Sequence, residues 1–308
     1  MNEHSSTPLP DRLLDRLRQG RFVMTAEVAP PVSCDPAELL RKAAGLKGLA
    51  DAVNVTDGAG ARAHMSALAA ASLLLGAGIE PILQLTCRDK NRIALQSELM
   101  GAAALGIRNL LILTGDDPKA GDQPDTKPVF DVDSKTLIET TRRLRDEGTL
   151  PTGRKVGGEA AFFIGAADMP IDPPQGWQPN ALLAKVKAGA QFVQTQFCMD
   201  AAVVRRYIGA LEQAGLTQKL AILIGVNPLR SAKSAQWMKS HLHGTIIPDA
   251  FVERMQKATD PAREGVRICV ELIEEMSAIP GVAGVHIMAP GNDAAIAEVI
   301  GAVRTRVP

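Results

Sequence analysis

FVMTAEVAPP, residues 22–31, starts as a buried strand and stops at two prolines. Phe22, Val23, Met24, Ala26 and Val28 are apolar, and Glu27 is the one carboxylate among them. A run that is apolar on both faces suits a parallel sheet covered on both sides. The fold turns on whether the run recurs, and it does. DAVNVT (51–56), PILQLTC (81–87), NLLILTGD (109–116), AAFFIGAAD (160–168), FVQTQFC (192–198), AILIGVNP (221–228) and GVHIMAP (284–290) follow it. Most begin 28 to 32 residues after the one before, the length of a strand, a helix and two loops. The longer gaps precede AAFFIGAAD and GVHIMAP.

The segments between are helical in pattern. PAELLRKAAGL, MSALAAASLLLGAG, NRIALQSELMGAAALG and SKTLIETTRRLRDEG place apolar residues three and four apart and end near glycine. Eight strand–helix units predict a closed (β/α)8 TIM barrel in a single domain, with an open doubly wound sheet as the other arrangement. The first strand lacks the GxGxxG turn that an open nucleotide-binding sheet would carry. Residues 1–20 are expected to form an N-terminal arm or a helix packed outside the barrel, and 21–308 the catalytic barrel. HLHGTIIPDAFVERMQKATD (241–260) predicts an inserted extra helix before the last strand. DDPKAGDQPDTKPVFDVDS (116–134) and ADMPIDPPQGWQP (167–179) follow strand ends and are expected to be site-building loops.

Composition narrows the function classes. The 308 residues are 46% hydrophobic, enough for a large core. Lys+Arg and Asp+Glu are both 34, so a nucleic-acid or anionic-membrane partner is not expected. Aromatics make up 3%, too few for a base-stacking surface. The four cysteines, Cys34, Cys87, Cys198 and Cys269, form no CxxC pair and read as reduced thiols. With no apolar signal core and no run near ~20 apolar residues, the expected location is cytoplasmic.

In a barrel the chemistry sits at the C-terminal ends of the strands. Those ends read Glu27, Thr56 with Asp57, Gln84 with Thr86, Asp116, Asp168, Gln196, Asn227 and the turn after His286. Each polar group there needs a protein partner, a water or a ligand, because leaving it buried and unpaired costs about 1–3 kcal/mol. Glu27 has two readings. Among apolar neighbours a carboxyl holds its proton more tightly and suits a general acid; alternatively it pairs with a barrel lysine or arginine. Asp116 either meets a flat ligand, which Gly115 lets the backbone approach, or caps a turn. His241 and His243 resemble a metal pair with no evident third ligand and are expected outside the strand ends, so no metal is expected. His286 reads as a core histidine, and DGAGAR (57–62) as a weak phosphate cradle.

TAEVAPP, VNVTDGAGAR, PILQLTCRDKNR, NLLILTGDDP, KPVFDVDS and KAGAQFVQTQF occur in the order found in the methylenetetrahydrofolate reductase family, which the chain resembles from about Phe22 to Pro290. The resemblance is to the short bacterial catalytic type. It implies a (β/α)8 barrel that reduces 5,10-methylenetetrahydrofolate to 5-methyltetrahydrofolate. A flavin, usually FAD, takes hydride from NADH or NADPH and passes it to the folate; the product normally feeds methionine synthesis. It implies that Glu27 protonates N10 as the five-membered ring opens, and that Asp116 acts beside flavin and pterin. Gln196 and Asn227 join Asp116 at the folate. Thr56, Gln84, Thr86, Thr114, Gly115, Asp131, Ala166 and Lys185 fall at the cofactor. The chain departs from the family pattern in five places: Thr114 stands for an arginine, Gln84 for a histidine, ADMPIDPP for YPxxHP, Ala232 for a phenylalanine and Asn292 for an arginine. FAD, FMN and direct hydride transfer from NAD(P)H without flavin therefore all stay open. So do a folate-binding methyl-transfer barrel without redox chemistry and a non-catalytic binding subunit. The alanine- and leucine-rich outer helices leave a homo-oligomer or a redox partner subunit open.

Overall fold

The computed structural model describes residues 12–306. Eight parallel strands pair in chain order and close into a barrel. They are β1 (Val23–Val28), β2 (Ala52–Val55), β3 (Pro81–Thr86), β4 (Asn109–Leu113), β5 (Phe163–Asp168), β6 (Phe192–Phe197), β7 (Ala221–Val226) and β8 (Gly284–Ile287). Helix α1 (Leu13–Arg18) precedes β1. Helices α2 (Pro36–Ala43), α3 (Ala67–Gly76), α4 (Arg92–Ala104), α5 (Ser134–Glu147), α6 (Asn180–Ala188) and α7 (Ala201–Gln213) each follow one strand. Between β7 and β8 lie α8 (Ala232–His241), α9 (Asp249–Lys257) and α10 (Pro261–Ser277), and α11 (Asp293–Arg304) ends the barrel. The start signals are local. Asp35, Asn91, Asp133, Asp200, Ser231 and Asp260 each cap the first turn of the helix that follows, each contributing about 1 kcal/mol.

The barrel therefore takes the closed form of the two arrangements its repeats allowed. Helix α9 is the insertion expected within 241–260, and α8 adds a second short helix before it. The long α10 packs against α7 and α11 and is the covering helix of this unit.

Two apolar layers result from strand alternation. Outward residues pack between the strands and the helices in one large core. Inward residues at the N-terminal ends, among them Val23, Ile82, Leu111, Phe163, Phe192 and Leu223, form a second cluster inside the bore. Gly165 belongs here: a side chain on it would strike the Phe192 ring, which stacks on Phe163 at 4.7 Å. Helix α1 closes this floor. Leu13 is fully buried against the second cluster, and its N–H donates to Glu80 Oε2 at 3.1 Å. Asp51 ties the same end together, accepting from the Met24 N–H (2.6 Å), from Arg304 (2.8 Å) and from Arg16. The described part of the expected arm is thus a plug at the mouth of the barrel; residues 1–11 lie outside the described residues.

Candidate active site

At the opposite mouth the bore opens into a cavity of about 740 Å³, within the range of small-molecule sites. Glu27, Thr56, Gln84, Thr86, Thr114, Gly115, Asp116, Lys185 and Gln196 all line it. Strand direction brings all but Lys185 together, since parallel strands put all their C-terminal ends at one face; Lys185 reaches in from α6.

Glu27 is partly exposed to the cavity, its side chain 22% accessible. Its Oε2 accepts from Gln84 Nε2 at 3.2 Å and lies 3.7 Å from His286 Nε2. No lysine or arginine pairs with it among the described residues. Its immediate partners are an amide and an imidazole rather than the apolar walls expected from its strand, because the inward residues of β3 and β8 at this level are polar. Asp57, next to Thr56, bridges strand ends: its Oδ2 accepts from the N–H and Oγ1 of Thr86, both at 3.0 Å, and from Lys90 at 3.2 Å. Thr56 Oγ1 is buried and has no hydrogen-bond partner.

Asp116 is exposed at the cavity rim, and its Oδ2 accepts from the Gly60 N–H at 3.0 Å. The 57–62 turn thus directs an amide at a carboxylate of the protein rather than forming an open phosphate cradle. Gly115 has φ +99°, and a side chain on it would meet Arg88 and Thr86. The missing side chain makes room for β3 as well as for the cavity. Arg88 is buried; it grips Asp89 at 2.7 and 2.8 Å and donates to the Gly58 carbonyl at 3.1 Å, joining the loops after β2 and β3.

On the far wall, Lys185 Nζ donates to the Ala167 carbonyl at 2.6 Å. Burial lifts the carboxyl of Asp168 above the ordinary carboxylate range; the Tyr207 hydroxyl, which donates to it, and the Lys185 charge pull the other way but do not win. Burial, with the Asp168 charge, drives the Tyr207 phenol well above its usual value. Burial also lifts the Cys87 and Cys198 thiols to about 11 and about 12, so neither is a ready nucleophile.

Gln196 is aimed by an irregularity. The β6–β7 register shifts between Gln194 and Phe197. The displaced Thr195 and Gln196 carbonyls lie where a side chain on residue 225 would be, so Gly225 is required there. Gln196 Nε2 then sits 3.4 Å from the His243 carbonyl at the cavity edge. An isolated glycine inside AILIGV is the sequence signal for such a bulge.

Three expected residues do not line the cavity. Ala166 faces outward into the core, and its neighbour Ala167 faces inward, as alternation requires. Asp131 pairs bidentately with Arg92 at 2.8 and 2.9 Å at the start of α4. Asn227 is buried with its Nδ2 on the Met288 carbonyl at 2.7 Å, bracing the turn after β8. Conversely, Met169, Met288 and Gln194 line the cavity without having been expected there, and so does His243, which was expected outside the strand ends. Gln194 was accessible to reasoning, being two residues from Gln196 on one strand face. His241 stacks on Trp237 at 5.1 Å. Among the described residues no three His, Cys, Asp or Glu side chains gather as a metal site, and no helix is long and apolar enough to cross a membrane.

A closed (β/α)8 barrel with a carboxylate-bearing cavity at its C-terminal mouth is the architecture of the barrel enzymes. Within that class the chain belongs to the methylenetetrahydrofolate reductase family, whose model matches residues 12–304. It is 27% identical over 239 residues to a probable methylenetetrahydrofolate reductase (NADPH) of Caenorhabditis elegans, covering 75% of this chain and 33% of that protein. It is 25% identical over 289 residues to methylenetetrahydrofolate reductase 2 of Schizosaccharomyces pombe, covering 86% of this chain and 42% of that one. The chain thus spans well under half the length of these curated relatives. Among solved structures, an uncharacterized protein from Clostridium thermocellum that binds two copies of 5-methyl-5,6,7,8-tetrahydrofolic acid superposes with TM-score 0.64 at 13% identity, covering 95% of this chain and 99% of that one. EDTA monooxygenase from Chelativorans sp. BNC1 superposes with TM-score 0.55 at 11% identity, covering 93% and 94%. At such identities the superpositions speak to the fold.

Proposed function

We propose that this chain reduces 5,10-methylenetetrahydrofolate to 5-methyltetrahydrofolate, with Glu27 as general acid. The observation that carries this reading is Glu27 itself. In a member of this family it stands at the C-terminal end of β1, with one oxygen held by Gln84 and the side chain open to the cavity. The folate ligand of the Clostridium thermocellum neighbour supports a reduced folate as the occupant here.

The chemistry assigned to the residues balances. Glu27 gives its proton to N10 as the N10–methylene bond breaks, leaving a cationic N5 iminium. The Asp116 carboxylate at the rim stabilises that charge. Gln196 offers an amide to the pterin. Addition of one hydride to the methylene carbon then completes the N5-methyl group.

A flavin, when bound, supplies that hydride after reduction by NADH or NADPH. The cavity suits its ring. Thr86, Thr114 and Gly115 offer small and polar surface along one wall, and Thr56 Oγ1 lies buried without a partner. Lys185 is the residue placed to meet a phosphate. Among the described residues no other lysine or arginine lines the cavity, whereas Glu27, Asp57, Asp116 and Asp168 all do. NAD(P)H carries a diphosphate as FAD does, so the same charge balance applies to a second reading, in which NAD(P)H hands hydride to the folate directly; the two are separated by whether the protein binds a flavin. Methyl transfer without redox chemistry would use neither an acid at N10 nor a hydride, and is separated by whether a donor is oxidised in step with product.

Glu27→Gln keeps the shape and removes the proton. Turnover should fall by about 10²–10⁴-fold, the usual share of a general acid, while folding and folate binding persist. Undiminished turnover in that variant would sink the mechanism.

A further inference from the structure

Below Glu27 the bore holds a layer of polar side chains where barrels usually carry branched apolar ones. Thr25, Asn54, Gln194 and His286 are all buried. Such a layer is tolerated when every group is satisfied, and here the partners are one another. Asn54 Nδ2 donates to Gln194 Oε1 at 2.6 Å, and Gln194 Nε2 donates back to Asn54 Oδ1 at 3.0 Å. That exchange uses one N–H of the Gln194 amide. The other reaches Thr25 Oγ1 at 3.0 Å and His286 Nδ1 at 3.3 Å. The Thr25 hydroxyl itself lies 3.0 Å from His286 Nδ1.

Nδ1 of His286 is faced by the Gln194 N–H, and by the Thr25 hydroxyl, which also lies 3.3 Å from the Val285 carbonyl and can donate to either. A ring nitrogen that faces an amide N–H accepts, and the proton of the neutral imidazole then sits on Nε2. Nε2 lies 3.7 Å from Glu27 Oε2, beyond direct hydrogen-bond length but close enough for its N–H dipole to orient that oxygen. Gln84 donates to the same oxygen. Oε1 has no hydrogen bond among the described residues. The two carboxylate oxygens are thus inequivalent, one held from below and one left to the cavity.

We propose that Asn54, Gln194 and Thr25 lock His286 in its Nε2–H tautomer. His286, so locked, is a positioning residue that holds Glu27 Oε2 and leaves Oε1 to carry the proton delivered to substrate. The lock stands on the geometry alone; the delivery clause rests on the reductase reading.

The test uses the whole chain labelled with ¹⁵N-histidine. Two-bond ¹H–¹⁵N correlation spectra at neutral pH report which ring nitrogen of each histidine is protonated. The His286 signal is identified by its loss in His286→Gln. Should that variant not fold, it is found by elimination after replacing His4, His64, His241 and His243 one at a time. Protonated Nε2 and bare Nδ1 support the lock. A proton on Nδ1, alone or with Nε2, or an averaged pair, overturns it. This readout needs no turnover, so failure of the reductase reading would not blur it.

Gln194→Glu sets a carboxylate acceptor against Nδ1 and should draw the proton to that nitrogen. Single-turnover folate reduction should then slow about tenfold or more, a part of the roughly 10²–10⁴-fold that an acid contributes. Folate affinity should stay within about twofold, because the interaction acts on the proton and not on binding. Gln194→Met, which removes both donors, should slow the step in the same way and serves if the first variant does not fold. An unchanged rate in a folded variant whose His286 has lost the Nε2–H tautomer overturns the positioning role.

Discussion

Thr56 is a residue whose environment and use pull in opposite directions. Its buried hydroxyl has no partner, a situation that costs about 1–3 kcal/mol. Thr56→Val keeps the outline and removes the hydroxyl. The variant should be more stable by about 1 kcal/mol, measured by denaturant unfolding, yet should bind its flavin or folate more weakly, measured by titration. Equal binding would show that the hydroxyl does not serve the ligand. Eight of the residues expected in the site reach the cavity because each stands at or just beyond a strand end, a position readable from hydropathy; a ninth, Lys185, reaches in from α6. Asp131 and Ala166 miss it for reasons that strand ends do not encode. Asp131 is claimed by Arg92 across a loop, and Ala166 sits one residue out of phase with the inward face.

Among the elements, α1 plugs the floor and β5 meets α7 through Asp168 and Tyr207. Leu13→Ala should destabilise the barrel by about 2–5 kcal/mol, read as a lower urea midpoint, because the cavity it leaves lies against strand side chains that cannot collapse. A change below 1 kcal/mol would mean that α1 rests on the floor without sealing it. Asp168 predicts a pH effect with a definite sign. Burial raises its carboxyl in the folded state, so the folded chain binds that proton more tightly than the unfolded one. Its contribution is present at acid pH and is lost as pH rises through the raised folded value. The stability of the wild type relative to Asp168→Asn should therefore decline from acid toward neutral pH in thermal unfolding. The opposite slope would show that Tyr207 and Lys185 stabilise the ionised form more than burial opposes it.

The whole molecule sets the cofactor question, since the cavity is assembled from strands all around the barrel. With one lysine for phosphates and a ring-sized polar wall, FAD and FMN should bind with similar affinity, giving bands that bleach with NADH or NADPH. Much tighter FAD would reveal cations for the diphosphate beyond this cavity. A chain that binds neither flavin, yet oxidises NADH or NADPH when methylenetetrahydrofolate is added, would establish direct transfer.

The parallel direction of the strands and the face that carries the polar ring were determined by the sequence, because hydropathy period and loop length are local quantities; closure into a barrel rather than an open sheet was decided by the pairing of β1 with β8. Glu27 followed from them, being the one carboxylate within the first apolar strand. Only the tertiary structure decided what Glu27 touches. Asn54 and Gln194 meet across the bore although they stand 140 residues apart, and the β6 irregularity sets the height of Gln196. Such contacts depend on strand tilt and on the stagger at which the sheet closes. Those are properties of the assembled ring, and no single strand carries them.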